Sequence, residues 1–347
     1  MSSNLSNGPT LGAASRAAAD LADALDVAAA GSTFSGVIRV DHGGSTVLER
    51  GYGLADRAQG VAMTSRHRLP VASISKGFTA LVVGALIDEG LLAFDSPVRP
   101  QLGTDLPLVD DAVTVDHLLA HTSGIGDYLE ESAGEITDHV LDVPVHTLED
   151  AEDFLPVLDG HVQVRAPGER FAYNNAGYVL LALLAQRVAG RSFHDLVRTR
   201  VLEPATMPAT SYPRSDEPGV AVAHGYLHED GLRTNVLHLP VRGSGDGGAV
   251  TTAADLAAFW TALGEGRIVS PATLEVLTAP RTVVEEEEMR YGRGFWRGLH
   301  SELLILEGYD AGVSGRTWHD PATGVTASVL ANHSEGAWPV LQAVDWG

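Results

Sequence analysis

The chain has 347 residues, 44% of them hydrophobic and 20% charged, a globular balance that excludes disordered and fibrous classes. Its 45 acidic and 23 basic residues give a formal charge of −22, which repels nucleic acid and anionic membrane over the whole surface, so neither is expected as a partner. With no cysteine, disulfides, thiolate nucleophiles and cysteine-ligated zinc are excluded.

Residues 1–11 are polar, contain Gly and Pro, and read as a flexible tail. The alanine-rich stretch 12–30 is interrupted by Asp20, Asp23 and Asp26, which makes it an amphipathic helix and not a signal-peptide core. No run approaches the roughly 18 apolar residues of a membrane span, so the sequence as written is expected in the cytoplasm. Segments 34–40 and 46–52 read as a hairpin turning at Gly43 and Gly44. From 73 to 89 apolar residues recur at helical spacing (Ile74, Phe78, Leu81, Val82, Ala85, Leu86), with Gly90 as the cap and Ser73 in the first turn. Helical patterns return at 115–120, 147–158 and 176–189. A helix opens at Thr252, where Thr252-Ala-Ala-Asp255 has the form of a capping box, and strand patterns follow at 302–306 and 325–330.

Strands at both ends around a helical middle predict an α/β fold of the α+β type. An antiparallel sheet flanked by helices forms from both termini, residues 12–80 and 241–347, and a mainly helical domain, 81–240, is inserted with the active site at the interface.

Serine needs a base within reach to act as a nucleophile, and Ser73-Ile-Ser-Lys76 supplies one, because residues three apart share a helix face. To serve, the amine must titrate near about 7 to 8 instead of about 10.4, which burial or a neighbouring cation achieves. The chain uses 22 arginines and a single lysine, so its other positive charges sit on a group that does not deprotonate. With 22 serines in 347 residues, a serine three positions before that lysine arises by chance about one time in sixteen, so the pair needs company.

Company is present. Leu69-Pro-Val-Ala-Ser73-Ile-Ser-Lys76-Gly-Phe-Thr-Ala resembles the nucleophile segment of the serine β-lactamase and penicillin-binding-protein superfamily: class C β-lactamases, D,D-peptidases and β-lactamase-like esterases. Phe34-Ser-Gly-Val with Glu49-Arg-Gly-Tyr-Gly-Leu-Ala-Asp56, and Leu118-Leu-Ala-His-Thr-Ser-Gly124, extend the resemblance. Tyr173-Asn174-Asn175 resembles its Y-x-N motif. That implies Tyr173 as proton shuttle, coupled to Lys76, and Asn175 as the residue that holds Lys76 and contacts substrate. The resemblance departs at Gly308-Tyr309-Asp310-Ala311-Gly312: Tyr309 stands where a lysine or histidine is expected and Ala311 where a glycine is. Without that cation a carboxylate anchor is missing, which argues against efficient β-lactam or carboxypeptidase chemistry. Tyr309 is left to donate a hydrogen bond or to wall the pocket, and the backbone N–H groups of Ser73 and Gly312 are expected to form the oxyanion hole.

The resemblance therefore implies a serine hydrolase working through an acyl-enzyme, without a cofactor or metal, on a small-molecule ester, amide or peptide. A β-lactamase-like esterase or amidase for small neutral substrates comes first. A D,D-peptidase, D-aminopeptidase or weak β-lactamase, a transacylase and a non-catalytic ligand-binding protein are the alternatives. Other signals count for less. His117 and His121 lack the glutamate of H-E-x-x-H, Gly243-Ser-Gly-Asp-Gly-Gly248 follows no buried strand and reads as a turn bordering the cleft, and Glu285 to Glu288 reads as solvated surface. Tyr291, Phe295 and Trp296 are expected mostly in the core.

Overall fold

The computed structural model describes residues 11–129, 134–217 and 219–344. The long first helix, α1 (Leu11–Ala30), lies where the alanine-rich pattern placed it, while the expected tail lies outside the described residues apart from Leu11. The first hairpin forms β1 (Gly36–His42) and β2 (Ser45–Tyr52).

The carboxy-terminal third supplies the rest of the sheet: β3 (Thr282–Val284), β4 (Met289–Tyr291), β5 (Trp296–Gly298), β6 (Leu304–Asp310), β7 (Val313–Asp320) and β8 (Val325–Ala331). Together they make an eight-stranded sheet in the order β2-β1-β8-β7-β6-β5-β4-β3, and its pairings are antiparallel. Both chain ends thus meet in one sheet, through the pairing of Gly36 with Ala331 and of Val37 with Leu330. The central strand β8 is buried at every residue, as a strand covered on both faces must be.

Alternation along the strands divides the core in two. Val37, Leu306 and Leu330 face a large cluster shared with the helical middle, and their neighbours Ile38, Ile305 and Val329 face a smaller one under α1. The helices that matter to the site are α2 (Ser75–Asp88), α3 (Val115–Leu119), α4 (Asn175–Ala189), α5 (Ala253–Gly264), α6 (Pro271–Thr278) and α7 (Trp338–Leu341).

Three expectations change. Helix α2 is buried from Ser75 to Leu86, so it is a core helix, apolar all round, and the expected boundary at 80/81 falls inside it. The segment 147–158 is broken into short turns, Val145–Thr147 and Ala151–Phe154, before the helical turn Leu155–Leu158. At α5 the Thr252 hydroxyl accepts from the Asp255 N–H, but the Asp255 carboxylate turns to Ala209 N–H and the Thr210 hydroxyl, so only half of the capping box forms. Among the described residues no helix is long and apolar enough to cross a membrane.

Candidate active site

The nucleophile segment is held from both sides before it turns into α2. Leu69–Pro70 pairs with Val250–Thr251, and Val71 N–H donates to the Ala249 carbonyl at 3.0 Å. Ala72 then takes a φ of 43°, a left-handed conformation that costs a residue with a Cβ about 1–3 kcal/mol and recurs where a functional group must be aimed. A short turn, Ala72–Ile74, presents Ser73 just ahead of the helix proper, one step earlier than the periodicity placed it.

One turn on, Lys76 is 3% exposed, and its Nζ lies 2.7 Å from Ser73 Oγ, 2.8 Å from Asn175 Oδ1 and 2.9 Å from the Asp246 carbonyl. The Tyr173 ring centroid is 4.9 Å from the same nitrogen. Ser73, Lys76, Tyr173 and Asn175, which lie up to 102 positions apart in the chain, are thereby gathered around one amine.

Tyr173 and Asn175 owe their places to the start of α4. Asn174 caps that helix, its Oδ1 accepting the Gly177 N–H at 2.6 Å, and Asp127 accepts the N–H groups of Asn175 at 2.7 Å and Ala176 at 2.9 Å. Burial pushes the Asp127 carboxyl up to about 6, against the pull of those N–H groups. His121, with φ at 54°, lies just beyond α3; its Nδ1 accepts the Asn174 N–H at 3.1 Å and its ring centroid is 4.4 Å from that of Tyr173. Burial, and then the charge of Lys76, hold the His121 imidazole well below its ordinary range, so it is neutral. Trp296 stacks near-parallel on the outer side of Tyr173, at 14° and 6.3 Å, with Tyr291 packed edge-on behind it. The aromatics expected in the core therefore also clamp Tyr173. His117 is a capping residue of α3, paired with Thr114, and no group of three or more metal-ligating side chains occurs among the described residues.

The third wall is β6, and here the sequence alignment shifts. A Cβ on Gly308 would collide with the Val71 carbonyl and stand 3.1 Å from Ser73 N, so Gly308 is the glycine that lets the strand touch the nucleophile's backbone. The glycine against the nucleophile is thus Gly308, three residues before the Ala311 position where the motif glycine is expected, and Leu306, two residues earlier on the same face, is buried against Gly77. Tyr309 is not the substrate-facing side chain expected. Alternation sends it to the far side of the sheet, where its ring packs on Trp338 and its hydroxyl donates to Glu335 at 2.7 Å.

Gly312 is likewise displaced from its expected role. It sits in the two-residue turn after Asp310, and its N–H donates to Ser334 Oγ at 2.8 Å. The register, with Asp310 facing Val313 across that turn, directs the Tyr309 N–H away from β7 and towards the nucleophile's side of the strand. Ser73 N–H and Tyr309 N–H are thus the pair of backbone donors suited to an oxyanion.

Sequence reasoning missed Asp127, Tyr128, Asp246 and Asp310. Asp246 carries both a carbonyl for Lys76 and a carboxylate that accepts the Tyr128 hydroxyl. Its signal was the run 243–248, read as a turn: a Cβ at Gly245 would strike the Tyr178 carbonyl, so the glycines there permit close approach to α4. Asp310 shares the Gly308 face and lines a cavity of ≈ 50 Å³ with Tyr128, Ser244 and Asp246.

A family model described as Beta-lactamase matches residues 19–343. A penicillin-binding protein of Bacillus subtilis is 30% identical over 277 residues, which cover 76% of this chain and 59% of that protein. Esterase EstB of Burkholderia gladioli is 32% identical over 187 residues, 52% of this chain and 47% of the esterase. The chain thus spans less than two thirds of the length of either relative. The crystal structure of a penicillin-binding protein from Bacillus halodurans superposes with a TM-score of 0.86 at 33% identity, covering 92% of this chain and 98% of that one.

Proposed function

The chain belongs to the β-lactamase family, and from that membership we propose that it is a serine hydrolase acting through an acyl-enzyme on an ester or amide whose recognition needs no carboxylate. One arrangement carries the reading: the buried amine of Lys76, 2.7 Å from Ser73 Oγ and fixed by Asn175 and the Asp246 carbonyl.

Ser73 Oγ attacks the substrate carbonyl carbon while its proton passes to Lys76 Nζ. The oxygen that gains charge is met by the N–H groups of Ser73 and Tyr309, donors that need no reorganisation. As the bond to the leaving group breaks, the proton returns from Lys76 through Tyr173 to the departing oxygen or nitrogen. Water then attacks the ester on Ser73, giving its proton to the same relay, and frees the acid and the serine.

Absence of a carboxylate anchor supports an esterase or amidase over a carboxypeptidase or β-lactamase. On β6, Leu306, two positions before the glycine that touches the nucleophile's backbone, is an apolar residue buried against Gly77, and no lysine or arginine occurs among the described residues lining the cavity formed by Tyr128, Ser244, Asp246 and Asp310. Cytoplasmic residence stays part of this proposal. The test is a burst assay with short p-nitrophenyl esters, read together with intact mass. An acyl adduct is expected on the wild type and none on Ser73→Ala, and full activity in Ser73→Ala would overturn the assignment.

A further inference from the structure

We propose that Tyr128 is a positioning residue for the acylation step: by holding the Asp246 side chain, its hydroxyl aims the Asp246 carbonyl at Lys76 Nζ and so sets where the amine stands. This rests on the serine-acylation reading above. The Tyr128 hydroxyl donates to the Asp246 carboxylate, and the Asp246 carbonyl accepts from Lys76 Nζ at 2.9 Å. Burial, and then the charge of Asp246, hold the Tyr128 phenol well above its ordinary range, so it stays protonated and donates.

The backbone that carries this carbonyl has little stiffness of its own. Residues 243–248 run Gly-Ser-Gly-Asp-Gly-Gly, and four glycines in six leave the peptide planes free to turn. The segment is pinned on both sides of Asp246, where the Thr79 hydroxyl donates to the Gly245 carbonyl at 2.6 Å and the Ala249 N–H donates to Ser75 Oγ at 3.1 Å. Between those two points Asp246 is the one residue with a side chain, so a tie on that side chain is what restrains the direction of its carbonyl. Ser244, just before them, adds no such tie, because its buried hydroxyl has no hydrogen-bond partner in the protein.

Tyr128 is in turn anchored to the other group that holds Lys76. Its neighbours on both sides bind Asn175 at the start of α4: the Asp127 carboxylate accepts the Asn175 N–H at 2.7 Å, and the Leu129 carbonyl accepts from Asn175 Nδ2 at 3.3 Å. Asn175 Oδ1 accepts from Lys76 Nζ at 2.8 Å. These contacts close a ring from Lys76 through Asn175, residues 127–129 and Asp246 back to Lys76, and the segment 127–129 sets the spacing between two of the amine's acceptors. Tyr128→Phe breaks the ring by removing one oxygen. The phenyl group keeps its packing against the core, and the Asp246 carboxylate still accepts the Gly247 N–H, so the fold is expected to hold.

The experiment follows acylation by p-nitrophenyl acetate from about pH 5 to about pH 9 in the wild type, Tyr128→Phe, Asp246→Ala and the double variant. Tyr128→Phe is expected to slow acylation at saturating ester by about tenfold, with KM within about threefold of the wild type. A carbonyl favours the ammonium form of the amine it accepts from, so loosening this contact is expected to move the acid limb of the profile to lower pH by about half a unit or more. Both substitutions break the same link, so the double variant is expected to stay within about threefold of the slower single one. An unmoved acid limb or a wild-type rate in Tyr128→Phe, or losses that multiply in the double variant, overturns the inference and leaves the hydrolase reading intact. If Tyr128→Phe does not fold, Asp246→Ala reads the same link from its other side, and an unmoved acid limb there overturns the inference equally. A wild type that the ester does not acylate on Ser73 overturns both readings.

Discussion

Lys76 matters because it can lose a proton and because nothing around it lets it move. Its Nζ is bound by a hydroxyl, an amide oxygen and a backbone carbonyl, so the chain fixes the amine's position with groups that are not themselves ions. Arginine at this position keeps the charge and reaches the same partners, but its guanidinium does not deprotonate. Lys76→Arg is therefore expected to retain the fold and lower kcat/KM by about 10³-fold or more, read as loss of the burst with an unchanged circular dichroism spectrum. A burst of wild-type size would show that another group takes the Ser73 proton. The serine-lysine spacing was legible because it is local to one helical turn. Asp246 was not, because its contribution to Lys76 is a backbone carbonyl, which any residue type carries.

At the scale of elements, catalysis depends on a strand lying against the turn that carries the nucleophile. The contact between β6 and residues 71–73 is close enough that Gly308 has no room for a side chain. Gly308→Ala is expected to push β6 away, misplace the Tyr309 N–H and reduce kcat by about 10²-fold, the cost of one oxyanion donor. Gly264→Ala is the control: a Cβ there meets nothing within 4 Å, and in a helix the change is expected to be neutral or stabilising by about 0.5–1 kcal/mol. Equal activity losses in the two variants would remove the oxyanion role from β6. Nothing local to the segment 308–312 tells whether position 308 or 311 is the one pressed against the nucleophile. Motif spacing fixes which residues are near the site, whereas the strand's register decides which face and which N–H each one presents.

For the whole molecule, buried titratable groups on the two sides of the cleft set opposing pH dependences. Burial lowers His194 to about 4 while it donates to the Gly243 carbonyl at 2.8 Å, at the start of the glycine segment that ends beside Lys76. Because that folded value lies below the unfolded one, the His194 contribution is full above about 6.5 and is lost as pH falls towards 4, on the order of 3 kcal/mol at most. Asp127, raised to about 6, works the other way, its penalty growing as pH climbs from about 4 to about 6. Urea unfolding between about pH 4 and about pH 6.5 is expected to show opposite changes in the slope of stability against pH: His194→Gln loses the rising contribution and its stability falls with pH relative to the wild type, whereas Asp127→Asn loses the falling contribution and its stability rises with pH relative to the wild type. The same slope in all three proteins would mean that neither group is perturbed by folding.

The sequence by itself determined the helices and strands whose patterns repeat within a few residues, the meeting of both termini in one sheet, and the serine, lysine, tyrosine and asparagine gathered at the site. These follow from periodicity and from short motifs, which are properties of neighbouring residues. Tertiary structure alone decided the rest: that α2 is buried all round, that Tyr309 turns from the cleft while its N–H faces it, that Gly308 is the strand glycine against the nucleophile, and that Asp310 lines a cavity with Asp246. Each depends on which strand lies beside which and in what register. That is fixed by packing between segments more than 200 residues apart, and no local pattern encodes it.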